Sequence, residues 1–272
     1  MQKIKVRQLK DSKDLIKRSA LVSDCKNIIK EDVHLIDENT GDEILYITNY
    51  FGMEEKQRIV SVLQKIKYST TKRTAGLSTP STIFGYMPRN ALRKDCCSVA
   101  DLAYKDPYKH AILCDQAKGL SETFKSNFPH KYELQKDLLA QKVLPSWLLP
   151  GGVYTSGIIN YNNYLNYHVD NGNFDNAYSA MLVFKKHTEG GYLMLPEYDV
   201  GIECADNSLL IFQGGNHIHG VSPILKQLAS GYRFSVVYYP LQGMSHCLPP
   251  AQELERIQKV RTSRERNRLN LN

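Results

Sequence analysis

The chain has 272 residues, of which 42% are hydrophobic and 10% aromatic, and it carries a formal net charge of +7. This composition is that of a soluble globular protein with a large core, and it excludes an intrinsically disordered chain. No apolar run approaches the ~20 residues that a membrane-spanning helix requires, and the basic N-terminus lacks the apolar segment of a secretory signal. We therefore expect an intracellular, cytoplasmic protein, and its positive charge favours a polyanionic partner.

The N-terminal part of the chain mixes charged and apolar segments. Residues 1–67 contain a charged, helix-like stretch at 9–24 and an amphipathic helix at 53–67, and we predict an appendage packed on the core. Residues 68–95 are rich in Ser, Thr, Gly, Pro and Arg. They predict a long ordered loop with one short strand at 83–86, and loops of this kind often carry function.

The second half of the chain has the texture of a β protein. Helices are predicted at 112–126 and 131–143, and the segment 153–239 then contains repeated short runs of β-branched and aromatic residues. Turn residues separate these runs, which indicates an antiparallel sandwich or barrel. We assign 68–250 to the main domain and 251–272 to a basic C-terminal tail or helix.

Six cysteines raise the question of disulfides. They are Cys25, Cys96, Cys97, Cys114, Cys204 and Cys247. Because a reducing compartment and a large core make disulfides unnecessary, we expect free thiols. None of the cysteines has the paired spacing of a structural zinc site.

A metal site is indicated by His168-Val169-Asp170. In a strand, positions i and i+2 face the same way, so His168 and Asp170 present an imidazole and a carboxylate to one point. A third ligand is expected from His219, which precedes Gly-Val-x-Pro, and His217 is the competing choice because spacing alone does not exclude it. Two histidines and one carboxylate leave positions open on the metal, which is the arrangement of non-haem Fe(II) oxygenases.

A cosubstrate site is indicated by Arg233 and Ser235 on the next predicted strand. A keto-acid cosubstrate needs a cation in fixed geometry, and the planar guanidinium of arginine suits a carboxylate best. These two side chains face the same way and are expected to bind the distal carboxylate of 2-oxoglutarate. The pattern His-x-Asp, here His168 and Asp170, is common by itself. Its occurrence before His219 and Arg233, in this order within a β-rich region, makes it specific for a metal site.

Several segments around these residues share a pattern with a known family. They are Gly157-Ile158-Ile159-Asn160, His168-Val169-Asp170 with Asn173, Gly190-Gly191-Tyr192-Leu193 with Leu195-Pro196, Ala205-Asp206-Asn207-Ser208-Leu209, His219-Gly220-Val221, Arg233-Phe234-Ser235 with Tyr239, and upstream Phe84-Gly85-Tyr86-Met87-Pro88-Arg89. Together they resemble the TET/JBP branch of the 2-oxoglutarate oxygenases, including small phage-encoded members that act in a bacterial host. The resemblance runs from about Arg73 to Pro240.

The resemblance implies the fold and the cofactors. The expected class is α+β with a predominantly β core, a double-stranded β-helix or jelly roll, flanked by N-terminal helices. By position, His168, Asp170 and His219 become the ligands of Fe(II). Arg233 with Ser235 becomes the anchor of 2-oxoglutarate, the cosubstrate that is used together with O2.

The resemblance also implies contacts with the substrate. Asn173 is expected to hydrogen-bond the target base, and Tyr239 is expected to stack on it. Arg89 or Arg73 is the candidate for a second basic group at the keto acid. The cysteine-rich zinc-binding region of the animal enzymes is absent from this sequence, which leaves the identity of the target base open.

The function that follows is hydroxylation of the 5-methyl group of thymine or 5-methylcytosine in DNA, on a base flipped out of the duplex. The basic loop at 72–94 is expected to hold phosphates, and so is the C-terminal tail through Arg261, Arg264, Arg266 and Arg268. Two alternatives stay open: a prolyl-type protein hydroxylase with the same iron site, and a non-catalytic nucleic-acid-binding module. We expect a monomer.

Overall fold

The computed structural model describes residues 1–72, 78–89 and 96–270. Its strands are β1 Gln2–Val6, β2 Asn27–Ile29, β3 Val33–Asp37, β4 Glu43–Ile47, β5 Ser69–Lys72, β6 Ser78–Met87, β7 Ser98–Val99, β8 Ser156–Tyr161, β9 Leu165–His168, β10 Ser179–Lys186, β11 Thr188–Gly190, β12 Leu193–Leu195, β13 Val200–Ile202, β14 Ser208–Phe212, β15 His219–Val221, β16 Ile224–Lys226 and β17 Tyr232–Tyr239. Its α-helices are α1 Met53–Gln64, α2 Asp101–Lys105, α3 Pro107–Asn127, α4 Pro129–Lys142 and α5 Pro250–Asn270. Within these ranges, no helix combines the length and the apolar character needed to cross a membrane.

Two sheets form the centre of the molecule. The larger sheet has the order β1-β3-β4-β14-β10-β17-β8-β6-β5, and the smaller has the order β2-β13-β12-β15-β9. Leu193 and Leu195 of the smaller sheet share one buried apolar cluster with Met181 and Leu210 of the larger sheet. Because two sheets enclose one core, the predicted jelly roll with a predominantly β core is confirmed.

Strand β10 shows how the sequence builds two cores at once. Met181 and Val183 belong to the cluster between the sheets, whereas Ala180, Leu182 and Phe184 belong to the cluster shared with the helices. Successive side chains of a strand point to opposite faces, so a strand buried on both faces is apolar at every position. The run SAMLVF therefore needs a cover on each side, and helices α3 and α4 supply the outer one.

The helices predicted at 53–67, 112–126 and 131–143 are confirmed, and the last two begin earlier than predicted. Helix α1 lies within the predicted 53–67. Helix α3 begins at Pro107, and the side chain of Asp106 accepts a hydrogen bond from the backbone N–H of Lys109 at 3.1 Å. A proline at the first helical position after a capping aspartate is a strong start signal. Helix α4 likewise begins at a proline, Pro129.

The helix predicted at 9–24 is wrong. This stretch contains only two short 3-10 turns, at Lys13–Leu15 and Val22–Asp24. Between them the chain lies along β9, with Lys17 N–H donating to the carbonyl of Tyr167 at 2.8 Å. Lys17 has a φ of 72°, in the left-handed region that a helix does not allow. The strands before residue 48 extend both sheets, and the division at residues 67 and 250 stays a prediction.

The strand predicted at 83–86 is confirmed as part of β6, but the loop predicted around it is wrong where β5 and the rest of β6 form strands. Strands β5 and β6 form an antiparallel hairpin, and β6 also pairs with β8 from Ser81 opposite Asn160 to Gly85 opposite Ser156. Polar residues suit this position because β5 is the edge of the sheet. Arg73, with residues 74–77 and 90–94 of the basic loop, lies outside the described residues.

The prediction of free thiols is wrong for two of the six cysteines. Cys97 and Cys247 form a disulfide across 150 residues of sequence, while Cys25, Cys96, Cys114 and Cys204 are free. Both bonded cysteines are buried in the cluster shared with the helices. The fold brings the segment after β6 against the segment before α5, a contact that sequence spacing cannot reveal.

Removing this disulfide is expected to lower the free energy of unfolding by about 2–5 kcal/mol, because the cross-link closes a long loop in the unfolded chain. Urea unfolding of Cys97→Ala/Cys247→Ala measures the loss. Cys96→Ala changes the neighbouring, unbonded cysteine and is the control. Equal stability of the double variant and the control would contradict the prediction.

Candidate active site

The histidines and the aspartate predicted as iron ligands come together where β9 ends and β15 begins. His168 and His219 are paired in register across these two strands. Asp170 follows β9, and its backbone N–H donates to the carbonyl of Gly214 at 2.9 Å. Asp170 Oδ1 lies 3.5 Å from His168 Nε2 and 3.8 Å from His219 Nε2. Ligand atoms of the three residues all lie within 4.8 Å of one another.

Backbone carbonyls fix both imidazoles for metal binding. His168 Nδ1 lies 2.8 Å from the carbonyl oxygen of Asn166, and His219 Nδ1 lies 2.9 Å from that of His217. A carbonyl only accepts, so each Nδ1 carries the proton and each Nε2 keeps its lone pair. Burial, together with the nearby His168, lowers the pKa of His219 to about 4, so this ring is neutral at physiological pH. This donor set fits Fe(II).

His217, the competing ligand, takes a different place. Its Nδ1 lies 3.3 Å from the hydroxyl of Tyr198, and its Nε2 lies 3.7 Å from Asp42 Oδ2. The group of ligand atoms found among the described residues contains His219 and not His217. What His217 provides to the site is its carbonyl, which holds the ring of His219.

Gly214 leaves room for the side chain of Asp170, and sequence reasoning missed this residue. A Cβ on Gly214 would lie 2.2 Å from Asp170 Oδ2, so only glycine leaves room for this carboxylate. The sequence Gln213-Gly214-Gly215-Asn216 is typical of a turn, and this pattern alone does not indicate that Gly214 faces a carboxylate.

Gly214→Ala is expected to weaken Fe(II) binding by about 10–100-fold, the range seen when groups that orient metal ligands are altered. The new methyl group displaces the end of the Asp170 side chain and no backbone, so we expect a change in stability below ~1 kcal/mol. Metal titration and urea unfolding measure the two effects. Gly215→Ala is the matched control, because its nearest contact would be the Asp170 carbonyl oxygen at 3.4 Å. Equal Fe(II) affinities of the two variants would refute this role.

Arg233 is a buried cation with bonding capacity left over. Only 1% of its surface is exposed, and its Nε and Nη2 have no hydrogen-bond partner among the residues that the structure describes. Burial lowers the pKa of Arg233, with the sulfur of Cys204 as the neighbour that opposes this shift. Gly191 lies against the side chain, where a Cβ would be 2.5 Å from Arg233 Nε. Since an unpaired buried charge is costly, this arrangement fits an anionic ligand such as a carboxylate.

Three polar side chains accompany Arg233. Ser235 lies two positions further along β17 and therefore on the same face, and its Oγ accepts from Asn160 Nδ2 at 3.3 Å. Lys185 is the cross-strand neighbour of Arg233, and its Nζ lies 5.9 Å from the centre of the Tyr192 ring. Burial lowers the pKa of Lys185. Sequence reasoning missed this lysine, although it shares the inward face of its strand with Met181 and Val183.

Arg89, predicted as a second basic group at the keto acid, is engaged elsewhere. Its Nη2 lies 2.7 Å from Glu253 Oε1 at the start of α5, and it also donates to the carbonyl of His246. The second cation that the fold places beside Arg233 is therefore Lys185. Arg73, the other candidate, lies outside the described residues.

The two residues predicted to contact the substrate lie near each other in the fold. Asn173 forms a β-bridge with Leu241, two residues beyond Tyr239, and its Nδ2 donates to Ser179 Oγ at 3.3 Å. Tyr239 is half-buried at the end of β17, opposite Ser156. Asn173 follows Asp170 closely and pairs with the segment just after Tyr239. Asn173 and Tyr239 therefore both belong to the end of the jelly roll that carries the histidines.

Comparison with known proteins assigns the chain to a family. Residues 85–242, more than half of the chain, match the Tet_JBP family, the oxygenase domain of the 2OGFeDO superfamily. Its members are dioxygenases that use 2-oxoglutarate and Fe(II), the class to which the jelly roll and its ligand set point. The chain belongs to this TET/JBP family.

Two similar proteins illustrate the relationship. The bifunctional helicase and thymine dioxygenase JBP2 of Trypanosoma brucei brucei is 26% identical over 251 residues, which cover 89% of this chain and 22% of that protein. The chain thus spans about a fifth of the length of this curated relative. The solved structure of NgTET1 in complex with 5mC DNA matches with a TM-score of 0.61 at 16% identity, covering 86% of this chain and 90% of that one. At this identity the likeness shows a shared fold.

Proposed function

We propose that this protein hydroxylates the 5-methyl group of a pyrimidine in DNA, either thymine or 5-methylcytosine, with Fe(II), 2-oxoglutarate and O2. The observation that carries the proposal is a compact His-Asp-His group together with a buried arginine, Arg233, whose Nε and Nη2 have no partner in the described part of the chain, inside a TET/JBP fold. The choice of substrate is supported by the relatives, one named as a thymine dioxygenase and one solved with 5mC DNA.

In this proposal, His168, Asp170 and His219 hold the iron. The bound metal with 2-oxoglutarate supplies the oxygen-activating chemistry that places one oxygen atom of O2 on a C–H bond. The two histidines bind through neutral Nε2 atoms, because the carbonyls at Asn166 and His217 keep the protons on Nδ1. The nearly complete burial of His219 excludes water from its side of the site.

Arg233 and Ser235 bind the distal carboxylate of the cosubstrate. The unpartnered Nε and Nη2 atoms of Arg233 suit a bidentate contact with two carboxylate oxygens, which fixes both position and orientation. Lys185 on the neighbouring strand adds positive potential at the same end. The keto acid is thereby oriented by a rigid sheet and not by a loop.

Asn173 and Tyr239 bind the target base. A methyl group on a base within a duplex cannot approach a recessed metal, so the base has to leave the stack. The side chain amide of Asn173 is suited to a hydrogen bond with the edge of the flipped base. The ring of Tyr239 offers a face for stacking, which is sequence-tolerant and contributes about 1–3 kcal/mol per base.

The test is to incubate the protein with Fe(II), 2-oxoglutarate and duplex DNA that contains thymine or 5-methylcytosine, and to analyse the nucleosides by mass spectrometry. We expect a hydroxymethylated pyrimidine from one of the two DNAs, and none with Asp170→Ala. Succinate is measured in the same reactions. Succinate without a modified base would reject DNA as the substrate while leaving the oxygenase intact.

A further inference from the structure

The C-terminal helix α5 lies beyond the part of the chain that matches the family, which ends at residue 242. Its first turns are attached to the protein: Glu253 is 1% exposed and Ile257 is 6% exposed. From residue 261 to residue 269, every side chain is exposed. The helix is therefore anchored at its base, and its outer half extends into solvent.

The base of α5 is held by a buried carboxylate. Glu253 Oε1 accepts from the backbone N–H of Leu248 at 2.9 Å and from Arg89 Nη2 at 2.7 Å. Its Oε2 accepts from the backbone N–H of Cys97 at 3.2 Å, next to the disulfide with Cys247. Charge-assisted hydrogen bonds beside a covalent link fix the direction of the helix.

This base lies close in the chain to the end of the jelly roll that carries the active site. Leu241 forms a β-bridge with Asn173, and the backbone N–H of Gln242 donates to the carbonyl of Gly172 at 2.9 Å. A short 3-10 turn, Gln242–His246, then leads into α5. Because an α-helix rises ~1.5 Å per residue, α5 is about 30 Å long.

The outer half of α5 has the composition of a surface that binds a polyanion. It contains Arg261, Arg264, Arg266 and Arg268 against one acidic residue, Glu265. It has no apolar stripe along one side, since Leu269 is its only large hydrophobic residue. A helix of this kind does not dock through hydrophobic contacts. Duplex DNA, with one negative charge per ~1.7 Å of its axis, is its electrostatic complement.

We propose that the outer half of α5 binds the phosphate backbone of the duplex DNA that carries the target base. The choice of DNA as the polyanion rests on the proposed function. The anchored base keeps the helix at a fixed place relative to Asn173. Its arginines make contacts with phosphate that carry no sequence information and set how the duplex lies over the active site.

The test is fluorescence anisotropy with an unmodified duplex, in the absence of iron and 2-oxoglutarate, over a series of NaCl concentrations. The variant R261Q/R264Q/R266Q/R268Q is expected to bind about tenfold or more weakly at 0.1 M NaCl. The slope of log affinity against log salt should fall by about 0.9 for each phosphate that the variant no longer binds. Thermal unfolding with Fe(II) and 2-oxoglutarate verifies that the variant retains an intact site.

Two controls isolate the helix. Arginine-to-lysine changes at the same four positions keep the charge and should retain most of the affinity. The variant K105Q/K118Q/K136Q/K142Q removes the same number of exposed charges from α2, α3 and α4 and should bind as the wild type does. The proposal would be overturned if the glutamine variant of α5 kept the wild-type affinity and salt slope. It would also be overturned if K105Q/K118Q/K136Q/K142Q lost as much DNA affinity as the glutamine variant of α5.

The outcome is separable from that of the proposed function. Helix-dependent binding by a protein that forms no hydroxymethylated base would support the role of α5 and reject the reaction. Base hydroxylation by wild-type protein, with unchanged DNA affinity in the α5 variant, would support the reaction and reject the role of the helix.

Discussion

Replacing Arg233 with methionine is expected to abolish the binding of 2-oxoglutarate and, at the same time, to stabilise the ligand-free protein. Arg233 is 1% exposed, and within the described ranges its Nε and Nη2 have no hydrogen-bond partner. A buried cation without an anion costs more than a hydrophobic side chain of similar volume in the same place. We expect the free energy of unfolding to rise by about 1–3 kcal/mol, and urea unfolding without 2-oxoglutarate measures this change.

The same variant should lose the stabilisation that 2-oxoglutarate gives to the wild type. Calorimetry under anaerobic conditions with Fe(II) should show an affinity reduced by more than about 100-fold, because two charge-assisted hydrogen bonds are removed. Arg233→Lys keeps a point charge without the planar fork and should give an intermediate affinity. Arg58→Met, at an exposed ion pair with Glu55, is the control. It should change neither the free energy of unfolding nor the affinity for 2-oxoglutarate by much.

The combination of results is the decisive part. A role confined to packing predicts that Arg233→Met destabilises the protein and leaves 2-oxoglutarate binding unchanged. A role as a carboxylate anchor predicts that Arg233→Met stabilises the ligand-free protein and removes 2-oxoglutarate binding. A less stable variant that still gains stability from 2-oxoglutarate would therefore contradict the assignment of Arg233.

The iron ligands could be predicted because their geometry is mostly local. The alternation of a strand places His168 and Asp170 on one side whatever the rest of the fold does. The pairing of His168 with His219 across β9 and β15 is a long-range contact, and it was accessible only through the order of the motifs. Spacing did not separate His217 from His219, because both alternate to the same face of an extended segment, and the choice of His219 rested on the Gly-Val-x-Pro that follows it.

Other features were invisible because they depend on contacts between distant segments. Lys185 is an ordinary residue at the end of an apolar strand until β10 pairs with β17 and places it opposite Arg233. The disulfide between Cys97 and Cys247 arises from the docking of the segment before α5. Arg89 seemed suited to the keto acid, but the fold offers it the buried carboxylate of Glu253.

The hairpin formed by β5 and β6 was missed for a related reason. Polar residues with glycine and proline are typical of loops, and composition alone favours that interpretation. At the edge of a sheet, polar residues are also tolerated and even useful, since they protect against pairing with another chain. Only the pairing of β6 with β8 distinguishes a loop from a strand near the sheet edge here. That pairing joins segments that are separated by helices α2, α3 and α4.

His219→Ala is expected to lower the affinity for Fe(II) by more than about 100-fold, beyond the range for residues that only orient ligands. Hydroxylation and succinate formation should be lost with it. The reason is that His219 supplies one of the three ligand atoms of a compact group, and alanine has no donor. Metal titration followed by thermal unfolding measures the loss, and His130→Ala, at an exposed histidine on α4, is the control.

The comparison with His217→Ala separates the two candidate ligands. His217 contacts His219 through its backbone carbonyl, which an alanine retains, so we expect Fe(II) binding to persist. Its buried side chain lies beside Tyr198 and Asp42, and its removal should lower stability by about 1–3 kcal/mol. Loss of iron in His217→Ala but not in His219→Ala would reverse the assignment. The expected pattern, metal binding lost in one variant and stability lost in the other, follows from which atom of each histidine faces the site.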